Sequence, residues 1–480
     1  METLNDLLAS FPKHADKLLF RGAHQSLSYT DAHQRALALA ASLRGLGMSL
    51  GDTVLLTLEN SSAFPVALLG VVAAGCTVIL GDRETGAQLL AGVGGRIPTA
   101  HIHDNDGEPC LKLTDSGKPS LPLEQLPRGT SGVHSLPPPA ADRAAVVVYT
   151  SASSGVARGV VKTHANLMVE VADLARILAR RGDRFLSVLP WSYIYGLLHH
   201  LLVPMFVGGT AWYLRQYTPR DIVQAVAQGQ VDLFIGVPAL YRVLAGLPAP
   251  VVPGNLTWAV SSGAPLDDAT ALRIGERLGW PLVEFYGSTE SGGISFNPDK
   301  LSYSSSVGHP MPHIEVRGPT GSDGSGVLEV RGPTVSDWAY EGSDEVRLTD
   351  DRGWYRTNDT GHIDSDGRLY LQGRLDRLIK VAGRRVSLDS IEAALLALPG
   401  VVDAAVGVRI DRIHGEVPVA DVVFTPGSDW SVETLMQACR NSLPPHKRPR
   451  QIVLCRRIDR KRVGKAAVAS AALTSSPEEL

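Results

Sequence analysis

Segments with the spacing of helices alternate with short apolar runs along the first half of this 480-residue sequence. Between Thr30 and Leu46, Ala and Leu recur every three or four residues and glycines close the run, which predicts a helix. Thr53–Leu58 has the character of a buried strand, and Ser62–Gly75 predicts the next helix. Because alternating strands and helices build parallel, doubly wound sheets, we predict an α/β fold.

The length of the chain and a change of pattern indicate more than one domain. A chain of 480 residues is too long to fold around a single core. At about 307–371 short alternating segments with Gly and Asp turns predict a small β-barrel or sheet. We therefore predict an N-terminal domain at 1–373, with a Pro-rich connector at about 121–140, and a small α+β domain at 374–480.

Charge and composition exclude several classes of protein. The formal net charge of -3 argues against nucleic-acid binding. The longest apolar run, Val66–Leu80, is shorter than the roughly 20 residues that span a bilayer, so it predicts a buried helix end and a core strand. Four scattered cysteines without C-x-x-C spacing predict neither a zinc site nor a disulfide framework. Because the N-terminus also lacks a signal-type apolar stretch, the sequence predicts a cytoplasmic protein.

A run of small and hydroxyl-bearing residues follows the apolar strand predicted at Ala144–Val148. It reads YTSASSGVARGVVKTH. Such a run lets backbone N–H groups turn inward around an anion, so it predicts a phosphate-binding loop, although by itself it is more typical of a Ser/Gly-rich surface loop. A Walker P-loop does not fit, because Gly155 and Gly159 are four residues apart and two valines separate Gly159 from Lys162.

The same run resembles the phosphate-binding motif of the acyl-adenylating superfamily, which includes acyl-CoA synthetases, adenylation domains and luciferases. Further motifs of that family follow in its order: FYGSTES at 285–291, GWYRTNDTG at 353–361, GRLDRLIKVAGRRVSLDSIE at 373–392 and VGK at 463–465. The resemblance covers essentially the whole chain and is nearest to acyl- and aryl-acid ligases. It implies stacked α/β subdomains and a β-barrel in the large domain, followed by a mobile C-terminal domain.

The resemblance implies ATP-dependent activation of a carboxylic acid to acyl-AMP, release of pyrophosphate and transfer of the acyl group to a thiol. The cofactors would be ATP and Mg²⁺, and the acceptor would be CoA or the phosphopantetheine of an acyl carrier protein. Two alternatives on the same fold are a luciferase-like oxygenase and a non-catalytic nucleotide-binding regulator. The presence of Glu290, Asp359 and Lys465 together argues against the regulator.

The resemblance assigns catalytic roles to charged residues, which the reaction needs because two unit anions 4 Å apart repel by about 4 kcal/mol near a protein surface. Lys465 would bridge the acid and the α-phosphate, although a solvated basic tail has the same composition. Glu290 would bind Mg²⁺ and Thr289 the α-phosphate, unless the pair caps a helix. Arg158 replaces the usual lysine of the phosphate loop, which keeps the charge and changes its geometry. Asp376 would be the hinge between the domains.

The implied nucleotide contacts come from several of these motifs. Tyr286 would stack on adenine, unless it is simply a core aromatic. Asp359 would accept both ribose hydroxyls, and Arg374 would reach the ribose or a phosphate. The remaining predicted contacts line the phosphate loop and the adenine: Thr150, Ser151, Ser153, Ser154, Gly155, Gly263, Ala264 and Pro265.

LPWSYIYGLLHH at 189–200 resembles the acid-pocket segment of the family. An enzyme that activates amino acids places an aspartate here to hold the α-ammonium, and this segment has none, so an α-amino acid is disfavoured. An aryl or medium-chain aliphatic acid suits the predicted lining, although packing residues would give the same pattern. The predicted lining residues are Tyr193, Tyr195, Gly196, Ser261, Ser262, Gly287, Gly292 and Ile294.

Overall fold

A computed structural model describes most of the chain. It leaves out residues 24, 91, 93–96, 115–118, 127–139, 151–157, 181–182, 216, 248–255, 300–304, 320–325, 343, 382–383, 412–414, 426–429, 457 and 459–480, and the side chains at 84, 380 and 384–385.

Helices of the described residues commonly begin at a side chain that caps the first turn. Ser28 and Thr163, for example, accept backbone N–H groups at the start of the second and fifth helices. The α-helices are α1 (Leu4–Ser10), α2 (Tyr29–Gly45), α3 (Ala63–Ala73), α4 (Arg83–Leu90), α5 (His164–Leu178), α6 (Ile194–Leu197), α7 (Val203–Val207), α8 (Pro219–Ala227), α9 (Pro238–Ala245), α10 (Asp268–Leu278), α11 (Leu388–Leu396) and α12 (Val432–Ser442). A π-helical turn, Leu198–Leu202, joins α6 to α7.

The strands range from two to eleven residues. In order they are β1 (Leu18–Arg21), β2 (Ser26–Ser28), β3 (Thr53–Thr57), β4 (Thr77–Leu80), β5 (Ala100–Asn105), β6 (Glu108–Leu113), β7 (Leu121–Pro122), β8 (Ala144–Thr150), β9 (Arg158–Thr163), β10 (Arg184–Ser187), β11 (Thr210–Tyr213), β12 (Leu233–Gly236), β13 (Trp258–Ser261), β14 (Leu282–Ser288), β15 (Gly292–Asn297), β16 (Ser306–Pro310), β17 (Glu315–Arg317), β18 (Gly326–Arg331), β19 (Trp338–Glu341), β20 (Asp344–Arg347), β21 (Tyr355–Ile363), β22 (Leu369–Arg374), β23 (Leu378–Val381), β24 (Arg384–Ser387), β25 (Val401–Asp411), β26 (Gly415–Phe424) and β27 (Gln451–Leu454).

Two large sheets share the main hydrophobic core. Thirteen of the described strands run in the order β17-β18-β21-β22-β16-β15-β14-β13-β12-β10-β11-β1-β2, and nine in the order β20-β19-β9-β8-β4-β3-β5-β6-β7. Strands β1 and β10 to β14 pair in parallel where they are neighbours, as do β3, β4, β5 and β8. Every residue of α3 is buried, because this apolar helix lies inside the shared core. The parallel arrangement places the carboxyl ends of β12, β13 and β14 at one edge.

A separate core supports the C-terminal sheet. It has the order β24-β23-β26-β25, and β27 pairs in parallel with β26. Ile391 of α11 and Leu435 of α12 are fully buried in a cluster with residues of this sheet. A 3₁₀ turn, Leu375–Arg377, connects β22 of the thirteen-strand sheet to β23 of this one. The domain boundary at 373–376 stays a prediction.

The α/β fold class predicted from the alternation is confirmed, and α2, β3 and α3 lie where the pattern placed them. Two details differ. The start of the expected connector carries regular structure, because Leu121–Pro122 pairs with β6 and a 3₁₀ turn follows. The antiparallel strands β17, β18, β21 and β22 continue through β16 into the thirteen-strand sheet, so the pairing of the described residues joins the expected barrel to that sheet.

Burial of His164 predicts that the fold is sensitive to acid. Its Nδ1 accepts a hydrogen bond of 3.3 Å from the backbone N–H of Leu4, and burial lowers the pKa of His164 to about 4. Its contribution to the free energy of unfolding, up to about 3 kcal/mol, is therefore present above pH 6.5 and is lost as the pH falls toward 4. We expect the melting temperature to fall over this window and His164→Gln to flatten that fall. His309→Gln, at an exposed site, is the control, and equal pH profiles for the wild type and His164→Gln would refute the assignment.

Candidate active site

Tyr286 and Asp359 meet at the carboxyl end of the central parallel strands. Tyr286 lies on β14 with its ring buried, and Asp359 lies on β21. The tyrosine hydroxyl donates a hydrogen bond of 2.7 Å to Oδ2 of Asp359. Burial raises the pKa of Asp359, whereas the hydrogen bond from Tyr286 lowers it by stabilising the carboxylate. The structure thus brings together the residues predicted for adenine and ribose.

Arg374 lies beside this pair, opposite Asp359 in the pairing of β21 with β22. Its Nη1 is 3.9 Å from Oδ1 of Asp359. Its Nε and Nη2 donate to the two carboxylate oxygens of Asp376 at 2.9 and 3.1 Å, and these hydrogen bonds raise the pKa of Arg374. One guanidinium therefore connects the predicted ribose carboxylate with the predicted hinge residue.

Thr289 and Glu290 lie on the tight turn between β14 and β15, which pair antiparallel. The hydroxyl oxygens of Ser288 and Ser291 are 2.9 Å apart across this turn. Because a β-strand follows the turn, the alternative that Thr289 and Glu290 cap a helix is wrong. The turn leaves the Glu290 side chain partly exposed, 3.8 Å from Nη1 of Arg158.

Arg158 is shared between two carboxylates. Its Nε and Nη2 contact Oε1 of Glu341 on β19, the strand that pairs with β9, and its Nη1 faces Glu290. Thr150, at the end of β8, donates a hydrogen bond of 3.4 Å to the carbonyl of Arg158. Thr150 and Arg158 flank the predicted phosphate loop, and the Glu290 carboxylate lies beside the Arg158 guanidinium. This arrangement fits Mg²⁺ carried on nucleotide phosphates, because such sites need only one or two protein carboxylates.

Several predicted residues fall outside the part of the chain that the structure describes. They are Ser151, Ser153, Ser154 and Gly155 of the phosphate loop, and Lys465. Their roles stay predictions.

The predicted adenine segment follows directly on β13. Ser261 and Ser262 are buried, whereas Gly263, Ala264 and Pro265 are exposed. Gly263 has φ +87, a conformation that glycine adopts readily. Since Ser261 is in register with Glu284 of β14, the segment emerges at the same sheet edge as Tyr286.

The predicted acid-pocket residues divide into buried and exposed members. Tyr195 is partly buried against the main core and donates a hydrogen bond of 3.2 Å to the carbonyl of Gly236, at the end of β12. Ile294 is fully buried in the main core. Tyr193 is 50% exposed and donates to Oδ2 of Asp82 at 3.1 Å. It therefore lies at the surface, apart from the buried members.

The glycines of this region permit close backbone approaches. A Cβ at Gly196 would lie 2.0 Å from the carbonyl oxygen of Pro190, and one at Gly287 would lie 2.4 Å from that of Gly292. Any larger residue at either position would displace backbone. Packing therefore also requires glycine at these two predicted lining positions.

Sequence reasoning missed buried polar residues around these motifs. Lys162 and Glu170 are enclosed beneath the turn that carries Glu290. His199 packs its ring 4.6 Å from that of Tyr195 and 5.7 Å from that of Phe285, and burial lowers the pKa of His199 to about 4. The sequence signal that could have identified Lys162 is a charged residue within the otherwise apolar strand GVVKT.

Known protein families and a solved structure match this chain over most of its length. The model of the AMP-binding enzyme family matches residues 8–337, and that of the AMP-binding enzyme C-terminal domain matches residues 390–465. The 4-coumarate–CoA ligase-like protein 3 of Oryza sativa subsp. japonica is 30% identical, covering 94% of this chain and 84% of its own. The long-chain-fatty-acid–CoA ligase FadD13 of Mycobacterium tuberculosis is 26% identical, covering 92% and 91%. The ATP-bound MatB structure from Rhodopseudomonas palustris has a TM-score of 0.80 at 24% identity, covering 97% and 98%.

The fold and the motif residues define a two-part, adenylate-forming enzyme. The chain belongs to the AMP-binding enzyme family, as its resemblance to the acyl-adenylating superfamily implied. It is accordingly an AMP-forming acid–thiol ligase, which activates a carboxylic acid with ATP and passes the acyl group to a thiol.

Proposed function

We propose that this enzyme joins an aryl or medium-chain aliphatic acid to CoA through an acyl-AMP intermediate, with Mg²⁺ accompanying ATP. The observation that carries this proposal is the hydrogen bond from Tyr286 to Asp359, with Glu290 on the turn after β14 and Arg158 facing it from β9 of the other sheet. These residues offer a flat ring for a base, a carboxylate for a ribose and a cation for phosphates. No observation favours the oxygenase or the regulator.

In this proposal each described residue has a limited task. Asp359 accepts the ribose hydroxyls, and its hydrogen bond with Tyr286 keeps the ring oriented toward the base. Arg158 exchanges part of its contact with Glu341 and Glu290 for phosphate oxygens. Glu290 would hold Mg²⁺, which when bound neutralises phosphate charge. Asp376, held by Arg374, would be the point about which the C-terminal domain turns between the two half-reactions.

The predicted lining residues are hydroxyl-bearing, apolar or glycine, and none carries a carboxylate that would pair with an α-ammonium. Tyr195 supplies a partly buried ring and Ser261 a buried hydroxyl. An unpaired buried ammonium is costly, so α-amino acids are disfavoured. One relative is named 4-coumarate–CoA ligase-like and another long-chain-fatty-acid–CoA ligase, which supports an aryl or aliphatic acid as the class of substrate.

CoA is the acceptor that we favour, because the named relatives are CoA ligases. A carrier-bound phosphopantetheine presents the same thiol and is the second candidate. No helix of the described residues is long and apolar enough to cross a membrane. Four free cysteines suit a reducing compartment, so we place the enzyme in the cytoplasm.

The deciding experiment measures release of pyrophosphate from ATP and Mg²⁺ across a panel of aryl, medium-chain and α-amino acids. CoA is then added, followed by a phosphopantetheinylated carrier protein, and thioester is quantified by mass spectrometry. We expect release with aryl or medium-chain acids and thioester with CoA. Thioester on the carrier alone would reverse the choice of acceptor, and no release with any acid would contradict the proposal.

A further inference from the structure

Lys162 is a fully buried cation with no assigned role in binding substrate or nucleotide. It lies on β9, and its Nζ donates hydrogen bonds to the carbonyl oxygens of Thr334 at 3.0 Å and Glu290 at 3.4 Å. Burial lowers the pKa of Lys162 to about 8, against the opposing effect of the carboxylates of Glu170 and Glu290. A buried ammonium is tolerated only when its donors are satisfied and a counter-charge is near.

Glu170 is the buried counter-charge, eight residues further on, in α5. Its Oε1 accepts a hydrogen bond of 2.7 Å from the backbone N–H of Gly293. Its Oε2 has no hydrogen-bond partner among the described residues. Burial raises the pKa of Glu170, and the positive charge of Lys162 lowers it. The two buried charges therefore stabilise each other.

Together the two side chains hold both ends of the segment 290–293. Lys162 binds the carbonyl of Glu290 at one end, and Glu170 binds the N–H of Gly293 at the other. Gly292, between them, has φ +72, and a Cβ there would lie 2.6 Å from Oε2 of Glu170. This segment carries the carboxylate proposed for Mg²⁺ and a glycine proposed for the acid pocket.

We propose that Lys162 and Glu170 are positioning residues that fix the backbone of segment 290–293 and thereby aim the Glu290 carboxylate at Mg²⁺·ATP. The proposal rests on the proposed function, in which Glu290 holds the metal. Both side chains are buried and hydrogen-bonded to the turn, so in this proposal they act through its backbone. Groups that orient a metal ligand typically change metal affinity by 10- to 100-fold when removed.

The test compares Lys162→Met, Glu170→Gln and the double variant with the wild type. The half-saturating Mg²⁺ concentration is measured for acid-dependent pyrophosphate release and, independently, for binding of a fluorescent non-hydrolysable ATP analogue without acid. We expect Lys162→Met to raise the half-saturating Mg²⁺ concentration about tenfold in both assays. Glu170→Gln keeps an oxygen for Gly293 but removes the counter-charge of Lys162, so we expect a lower melting temperature and a smaller rise in the half-saturating Mg²⁺ concentration. The double variant should show less than the combined effect, since the two charges are coupled.

Asp173→Asn is the matched control. Asp173 lies three residues further along α5, is equally buried and is bonded to Nδ1 of His313 at 2.8 Å. The Asp173→Asn variant is expected to lower the melting temperature without changing the half-saturating Mg²⁺ concentration. If Lys162→Met and Glu170→Gln behave like this control in both assays, the positioning role is refuted. If the wild type binds the analogue with Mg²⁺ but releases no pyrophosphate, the proposed function fails, while the binding assay still decides on the pair.

Discussion

Replacing Lys465 by alanine is expected to lower the rate of acyl-AMP formation by roughly 10²-fold or more, the usual effect of removing a preorganised charge donor. Lys465 ends the VGK motif and is predicted to bridge the acid and the α-phosphate as charge moves between them. Thioester formation from supplied acyl-AMP should survive, since no α-phosphate is attacked in that step. Single-turnover measurements of the two half-reactions separate these effects.

Lys461→Ala is the control for this prediction. Lys461 belongs to the same basic run, RRIDRKRVGK, and a merely solvated tail would respond equally to loss of either lysine. We expect Lys461→Ala to leave both half-reactions near the wild-type rate. Equal losses in the two variants, or an equal loss in both half-reactions of Lys465→Ala, would contradict the assigned role.

Asp359→Ala is expected to reduce kcat/KM for ATP by roughly 10²-fold or more. Asp359 is proposed to accept two ribose hydroxyls, and hydrogen bonds to a charged group contribute about 1.5–3 kcal/mol each. The change also removes the acceptor of the Tyr286 hydroxyl, so the orientation of the ring is loosened. Initial rates over a range of ATP concentrations, at saturating acid, measure the effect.

Asp364→Asn provides the matched comparison, because Asp364 immediately follows β21 and accepts backbone N–H groups from Asp366 and Arg368. It is expected to change stability slightly and kcat/KM for ATP little. A 2′,3′-dideoxy ATP analogue should bind Asp359→Ala and the wild type with similar affinity. If Asp359→Ala still prefers ATP over this analogue as strongly as the wild type does, the ribose is held elsewhere.

Local patterns predicted elements that the structure contains. The strand of AAVVV and the helix from about residue 30 depend on residues close together in sequence, as does each single motif. Tyr286 and Asp359 were predicted separately from two such motifs. Their hydrogen bond joins residues 73 positions apart, so the sequence pattern did not contain it.

Partners of the charged residues were not predictable in the same way. Arg158 contacts Glu341 because β19 pairs with β9 across 183 positions. The local sequence pattern of neither strand predicts that pairing. Only the strand that follows the turn of Thr289 excludes a helix cap at this position. In the sequence, Lys162 belongs only to a P-loop-like pattern whose spacing does not fit. Its bonds reach residues 128 and 172 positions away.

The sequence by itself determined the α/β class and the adenylate-forming family, because periodicity and short motifs act over a few neighbouring residues. Only the tertiary structure decided which buried charges meet, which predicted pocket residues are enclosed and how the Glu290 turn is held. Those outcomes depend on strand order and helix packing between distant segments. Their energies come from burial and from pairing of charge, which exist only once the chain has folded.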